Sequence, residues 1–172
     1  MTSTAELALD QDLEYEIIDG RKEAKMAGAR HGEICAQIII ELGLYLRKTR
    51  AGRIYTPDTT FQIGVYDRLP DVSVIIAARI PEEGAPASKW EIAPDLAIEI
   101  ISPNDAWEKV KEKVRDYFAA GVRQVWLVSQ KDRDVTVYDS PTLIKVFTEN
   151  DELTTETILP GFKCRVGDLF DV

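Results

Sequence analysis

The chain has 172 residues, 45% of them hydrophobic and 30% charged, which is enough for the core of one ordinary domain and too little for two. Its formal net charge of −9 argues against a protein that coats nucleic acid non-specifically, because such binding depends on Lys and Arg neutralising phosphates, but it leaves room for a local basic cleft. No segment has the roughly 18 to 20 uninterrupted apolar residues of a membrane span, and the first residues lack the pattern of a secretory signal, so we expect a cytoplasmic protein.

The first part of the chain predicts a hairpin, a long helix and two strand regions, preceded by a flexible N-terminus over residues 1–12. Asp19-Gly20 separates two strand-like runs and is the dipeptide best suited to a tight hairpin turn. From about Arg30 to Arg50, apolar residues recur at helical spacing and predict an amphipathic helix. The apolar stripe consists of Ile34, Ile38, Leu42, Tyr45 and Leu46. Strand-like segments follow in "RIYTPDTTFQI" and "DVSVIIAA".

The second part of the chain predicts a strand, a helix and four more strands. The segment "PDLAIEIIS" is a strand, and "AWEKVKEKVRDYFAAG" is an amphipathic helix that starts after Ser-Pro-Asn-Asp and ends at Gly121. Strand-like runs follow in "RQVWLVS", "DVTVYD", "LIKVFT" and "TTETILPG". This order predicts an α/β fold with a mixed β-sheet flanked by helices and additional β-hairpins, in which the passage from Glu99 to Val125 is a right-handed parallel crossover.

Glu99 is the residue that fits its strand least well. Both faces of "PDLAIEIIS" are largely apolar, which is typical of a central strand covered on both sides. An unpaired carboxylate there would cost several kcal/mol, on the order of a buried polar group without a partner. We therefore expect a cation, a basic side chain or a metal ion beside Glu99.

Four other polar or aromatic residues are candidates for the same site. Asp71 begins "DVSVII" directly after a proline, and Lys113 lies on the flank of the apolar stripe of the second helix. His31 and Tyr117 lie on apolar stripes. Each has an ordinary alternative. Asp71 could be a strand-start residue and Lys113 a solvated helix residue, while His31 could be a hydrogen-bonded core histidine and Tyr117 a packing residue. Glu99 could pair with a core lysine or arginine.

Taken together, these residues predict a site for a hard divalent cation and a phosphodiester. Mg²⁺ prefers oxygen ligands and keeps several waters, and an ammonium group beside it would orient the nucleophile and stabilise developing negative charge. Asp95 competes with Asp71 for the aspartate role. It lies four strand residues from Glu99, or roughly 13 Å, which is too far for both to bind one ion.

Several segments resemble the PD-(D/E)XK nuclease superfamily, and within it the Uma-type family of restriction-endonuclease-like proteins that is abundant in cyanobacteria. They are "YEIIDG", "HGEI", "LPD", "IEIISP", "KVRDYFAAGVRQVWLVS" and "LPGFKCRVGDLF". The resemblance covers roughly Leu13 to Phe170, which implies one restriction-endonuclease-like domain over residues 13–172.

The resemblance implies a role for each candidate residue. Asp71 and Glu99 match the motif acids that bind metal, and the backbone carbonyl of Ile100 would be a further ligand. Where the superfamily has a lysine two places after the glutamate, this chain has Ile101. In the family this lysine is thought to have moved to the following helix, where Lys113 stands.

Two further positions matter for the comparison with the family. The family often has an aspartate one turn before the migrated lysine, and Lys109 stands there instead. The first helix of the superfamily can lend a residue to the site. His31 is the candidate rather than Glu33, because Glu33 points away from the apolar stripe.

The leading hypothesis is an endonuclease that uses Mg²⁺ or Mn²⁺ to hydrolyse phosphodiester bonds in nucleic acid, with DNA as the favoured substrate and a homodimer as the favoured assembly. Asp71, Glu99, Lys113 and His31 would be catalytic, and Tyr117 would support them. Candidate nucleic-acid contacts are Arg47, Lys48, Arg50, Arg53, Lys109 and Lys111. Two alternatives stay open: a nuclease-like module that binds nucleic acid without cleaving it, and a structural or oligomeric protein in which Glu99 and Lys113 form a buried ion pair.

Overall fold

The computed structural model describes residues 15–18, 20–24, 28–103 and 105–171. It contains two α-helices, α1 (Ala29–Thr49) and α2 (Trp107–Ala119), among these residues. The strands of the described part are β1 (Tyr15–Ile18), β2 (Arg21–Ala24), β3 (Gly52–Tyr55), β4 (Phe61–Ile63), β5 (Tyr66–Arg68), β6 (Val72–Ile76), β7 (Leu96–Ile101), β8 (Gln124–Ser129), β9 (Asp134–Tyr138), β10 (Ile144–Phe147), β11 (Glu152–Thr154) and β12 (Lys163–Arg165). Two 3₁₀-helices, Ala77–Arg79 and Val166–Leu169, complete the elements.

A six-stranded mixed sheet forms the centre of the fold, with strand order β10-β9-β8-β7-β6-β3. β7 and β8 are parallel and are joined by α2, while the other neighbouring pairs are antiparallel. The predicted parallel crossover through α2 is therefore confirmed. A second sheet has the order β2-β1-β5-β4, and β11 pairs with β12.

The two faces of the central sheet bury separate cores because residues alternate along each strand. Leu96, Ile98 and Ile100 of β7 belong to the core that contains α1. Ala97 of the same strand belongs to the core that contains α2. A strand covered on both faces is apolar on both faces, which explains the sequence of β7. The predicted α/β architecture, a mixed sheet flanked by helices with additional hairpins, is confirmed.

The boundaries of several elements differ from those expected. The sequence indicated no strand at Tyr66–Arg68, and the predicted strand "TTETILPG" was wrong, since residues 155–161 form turns. Backbone hydrogen bonds from Ile158 and Leu159 to Thr155 O hold these turns. Their buried apolar side chains resemble a strand pattern, but the chain reverses too tightly to pair.

Helix α1 agrees with the predicted range, whereas α2 begins later than its expected start signal. The residue before α2, Ala106, provides no side-chain cap, and the Asp105 carboxylate instead accepts a hydrogen bond from Ser102 N at 2.7 Å. The predicted flexible residues 1–12, the turn residue Asp19 and the start-signal residue Asn104 lie outside the described residues. Neither described helix is long and apolar enough to cross a membrane.

Two isoleucines of α1 allow a matched test of this packing. Ile38 is 1% exposed in the core, whereas Ile40 is 48% exposed. Ile38→Ala should lower the free energy of unfolding by about 2–5 kcal/mol through lost burial and a cavity, and Ile40→Ala should lower it by less than about 1 kcal/mol. Urea denaturation of both variants measures the difference. Equal losses would contradict the placement of α1.

Candidate active site

Asp71 and Glu99 lie opposite each other on neighbouring strands. The β6–β7 register pairs Val72 with Ile98, so extending it by one residue places Asp71 opposite Glu99. Adjacent strands are about 4.8 Å apart, and directly opposed side chains are neighbours. Asp71 is 2% exposed and Glu99 is 7% exposed. The structure thus brings two buried carboxylates together at one place in the sheet.

Asp71 is held by both β7 and α1. Its Oδ2 accepts a hydrogen bond from Ile100 N at 2.7 Å and lies 3.0 Å from His31 Nε2. The Cys35 thiol donates to the backbone carbonyl of Asp71 at 3.4 Å. His31 and Cys35 are one helical turn apart, so the first turns of α1 contact Asp71 through both its side chain and its main chain.

Glu99 accepts hydrogen bonds from two residues of α2. Lys113 Nζ donates to Oε2 at 3.0 Å, and the Tyr117 hydroxyl donates to Oε1 at 2.5 Å. Lys113 and Tyr117 are four residues apart and therefore share one face of the helix. The ammonium and the hydroxyl offset the desolvation of the Glu99 carboxylate, which would otherwise be severe at this depth.

An ion pair that the sequence did not indicate fixes α2 against the neighbouring strand. Arg68 of β5, 6% exposed, pairs with Asp116, the residue directly before Tyr117. This contact ties the last turns of α2 to the second sheet and helps keep Lys113 and Tyr117 directed at Glu99. Its partners are separated by 48 positions, so no local pattern could have paired them.

Asp95 serves a different purpose from Glu99, although it is also fully buried on the same segment. Its carboxylate pairs with Arg79 at 3.1 Å and Arg123 at 3.5 Å and accepts a hydrogen bond from Ile76 N at 3.0 Å. These contacts satisfy the Asp95 carboxylate just before the start of β7, whereas Glu99 faces Asp71 nearer the end of the strand. They explain the burial of Asp95 without a ligand.

The basic residues at the end of α1 lie far from the two acids. Arg47 is sixteen residues after His31 on the same helix, which corresponds to about 24 Å at 1.5 Å per residue. Lys48 and Arg50 continue in the same direction. Arg53 of β3 lies opposite Ile75 of β6. Ile75 is four residues after Asp71, so Arg53 is about 13 Å along the strand from Asp71. The structure does not gather these four residues around the site.

The basic residues of α2 lie closer to the acids. Lys109 is one turn before Lys113 on the same flank and is exposed. Lys111 is on the other flank, where its ammonium pairs with Glu108 at 2.9 Å. Of the predicted nucleic-acid contacts, Lys109 is the one that the helix geometry places beside the acid pair.

The donor set suits a hard cation better than zinc. Within the described part of the chain, no group of three or more His, Cys, Asp or Glu side chains could hold a metal ion. Zinc usually requires three or four such side chains, whereas Mg²⁺ binds through one or two carboxylates and retains several waters. Asp71, Glu99 and the main chain at Ile100 fit the second pattern.

A cavity of about 250 Å³ opens on the α2 face of the sheet beside this site. Its floor includes Ile101 and Leu127, and Leu127 is the direct neighbour of Glu99 on β8. Trp107 of α2 forms part of the wall. Ile101, at the position where the superfamily motif has lysine, thus forms part of the apolar floor of this cavity, which we call the Trp107 pocket.

Asp134 brings a perturbed carboxyl group to the Trp107 pocket. Burial raises the pKa of Asp134 above its ordinary value of 3.8, and the nearby Asp132 carboxylate raises it further. Both aspartates line the pocket. The pocket wall therefore carries two carboxyl groups whose oxygens can accept hydrogen bonds.

Comparisons with known proteins give a family match and a similar solved structure. The family model described as Uma2, "Putative restriction endonuclease", matches residues 4–167. A crystal structure of a "putative nuclease belonging to DUF820" from Anabaena variabilis ATCC 29413 is similar to this chain with a TM-score of 0.80 and 26% identity, and the match covers 91% of this chain and 89% of that one. The search of curated proteins found no match.

The raised pKa of Asp134 predicts a pH-dependent effect on stability. The folded protein holds the Asp134 proton more tightly than the unfolded chain, so the stability contributed by this group is lost as the pH rises through the raised pKa. Asp134→Asn should therefore raise the melting temperature near neutral pH, and the gain should shrink below the ordinary pKa of 3.8.

Asp151→Asn provides a control of opposite sign. Hydrogen bonds from Thr148 lower the pKa of Asp151, so this group stabilises the fold at neutral pH and loses that effect on acidification. Melting curves from neutral to acidic pH compare the two variants. A neutral-pH decrease for both would contradict the environment found for Asp134.

Proposed function

We propose that this chain, which belongs to the Uma2 family, is an endonuclease. It depends on a divalent metal ion and hydrolyses phosphodiester bonds in DNA. The observation that carries the proposal is the pair of buried carboxylates, Asp71 and Glu99, with the Lys113 ammonium on one of them. The nuclease-like structural neighbour supports the same reaction class.

Asp71, Glu99 and the carbonyl of Ile100 are the proposed holders of Mg²⁺ or Mn²⁺. Two carboxylates against one ammonium group leave the site with excess negative charge, which favours a cation. A divalent ion there supplies positive charge to the scissile phosphate and acidifies the attacking water. The buried setting strengthens these interactions, because less solvent screens them.

Each remaining residue has a role that follows from its contact. The Lys113 ammonium, 3.0 Å from Glu99, is placed to donate to the attacking water or to a phosphate oxygen. Tyr117 orients Glu99, and His31 orients Asp71, so both act as positioning residues. Ile101 leaves the usual lysine position apolar, which makes Lys113 the cationic side chain within reach of Glu99.

A homodimer is the assembly that this activity favours. A DNA duplex has two strands, and two copies of the chain would place one cleavage site on each. We take residues 13–172 as the single domain that forms each half.

A non-cleaving module is the second candidate. Both carboxylate oxygens of Glu99 already accept hydrogen bonds, from Lys113 and Tyr117, and such a pair can serve stability alone. The net charge of −9 and the distance of the α1 basic residues from the site limit such a module to a short contacted segment rather than extensive backbone binding.

Cleavage of supercoiled and single-stranded DNA in Mn²⁺ or Mg²⁺ tests the proposal. Glu99→Gln should reduce cleavage to background because it removes a ligand charge. Lys113→Met should slow it by about 100- to 1,000-fold through the loss of one stabilising donor. Glu112→Gln, an exposed acid next to Lys113, is the matched control and should cleave at the wild-type rate.

The result that contradicts the assignment is cleavage by purified Glu99→Gln at the wild-type rate. Salt-sensitive DNA binding by the wild type, with no cleavage in either metal, would instead support the non-cleaving module.

A further inference from the structure

The Trp107 pocket extends the proposed site along β7. Ile101 lies two residues after Glu99 on the same face of the strand, a separation of about 7 Å. Leu127, which also lines the pocket, is the cross-strand neighbour of Glu99. A nucleotide whose phosphate is at the acid pair therefore has this pocket within reach of its own base or of the next one.

The size of the pocket suits a small planar group. Its 250 Å³ corresponds to roughly eight water molecules at about 30 Å³ each, and it is smaller than the roughly 300–1,000 Å³ of sites for drug-sized ligands. One or two fused rings fill such a volume.

Trp107 provides a stacking surface in the pocket wall. It is 51% exposed, whereas the other tryptophans, Trp90 and Trp126, are 5% and 1% exposed. An indole ring left this open at the rim of a cavity offers a flat face to a ligand. Aromatic side chains stack on nucleobases of any sequence.

The polar groups of the pocket suit a base rather than a phosphate. Asp132 and Asp134 would repel a phosphate, but carboxylates accept hydrogen bonds from the exocyclic amino group of a base such as cytosine. The Thr136 side chain also lines the pocket, and Ser129 Oγ donates to Asp132 Oδ2 at 3.0 Å, which holds that carboxylate in the pocket wall. Lys131, which is exposed at the same pocket, can contact the adjoining backbone phosphate.

We propose that the Trp107 pocket receives one unstacked nucleobase next to the scissile phosphate, with the base stacked on Trp107 and its amino group directed at Asp134. This inference rests on the proposed nuclease function. It makes the preferred substrate a single-stranded or locally opened DNA, because an unpaired base enters such a pocket at the lowest energetic cost. It also makes amino-bearing bases preferable to thymine at this position.

Fluorescence titration in Ca²⁺, a hard cation that binds oxygen ligands in place of Mg²⁺, tests the pocket without requiring cleavage. A short oligodeoxycytidylate should quench the emission of Trp107, the exposed member of the three tryptophans, and should bind several-fold more tightly than a matched oligothymidylate. Trp107→Leu should lose this quenching and raise the Kd at least about fivefold. Asp134→Asn should narrow the difference between the two oligonucleotides.

Leu44→Ala is the matched control, since Leu44 is 60% exposed on α1, the helix on the opposite face of the sheet. It should bind both oligonucleotides like the wild type. Equal melting temperatures of Trp107→Leu and wild type establish that the variant folds, which the exposure of Trp107 leads us to expect.

The outcomes separate this inference from the proposed function. Unchanged quenching or an unchanged Kd in Trp107→Leu overturns the base pocket, even if the wild type cleaves DNA in Mn²⁺. Absence of oligonucleotide binding by the wild type overturns it as well. Quenching that depends on Trp107 in a protein without cleavage activity supports the pocket and rejects the nuclease.

Discussion

The burial of Glu99 is the constraint on which the site and much of the surrounding structure depend. A carboxylate in the middle of a central strand must be compensated, and the compensation comes from Lys113 and Tyr117 on one helix face. That requirement fixes the rotation of α2 about its axis, and the Arg68–Asp116 ion pair holds α2 against β5 of the second sheet. A rotation of α2 by one residue would present Val114 or Glu112, instead of Lys113, to Glu99.

The same point in the sheet is reached from both sides. α1 approaches Asp71 through His31, and α2 approaches Glu99 through Lys113, although the two helices cover opposite faces. The two helices can meet here because Asp71 directly precedes β6 and lies opposite Glu99. At this strand end the Asp71 side chain can turn and accept a hydrogen bond from Ile100 N. The two acids are thus supported by separate helices, and a change in either helix alters the site.

Much of this arrangement could be predicted from the sequence because its signals are local. The alternation in "PDLAIEIIS" marked Glu99 as out of place, and the helical wheel placed Lys113 on the flank of the buried stripe. The features that were missed depend on contacts between distant segments: the Arg68–Asp116 pair, the strand at Tyr66–Arg68 and the Trp107 pocket. The basic residues near Arg47 show the converse. They belong to the same helix as His31, but sixteen residues of helix place Arg47 about 24 Å from His31.

Calorimetric titration of Mn²⁺ into the wild type, Asp71→Asn and Glu99→Gln tests most directly whether the two opposed carboxylates form one metal site. The expected result is a binding signal in the wild type that is lost in both variants while their folds, checked by circular dichroism, remain intact. Binding that persists unchanged in either variant, or an absence of binding in the wild type, would contradict a shared metal site at Asp71 and Glu99.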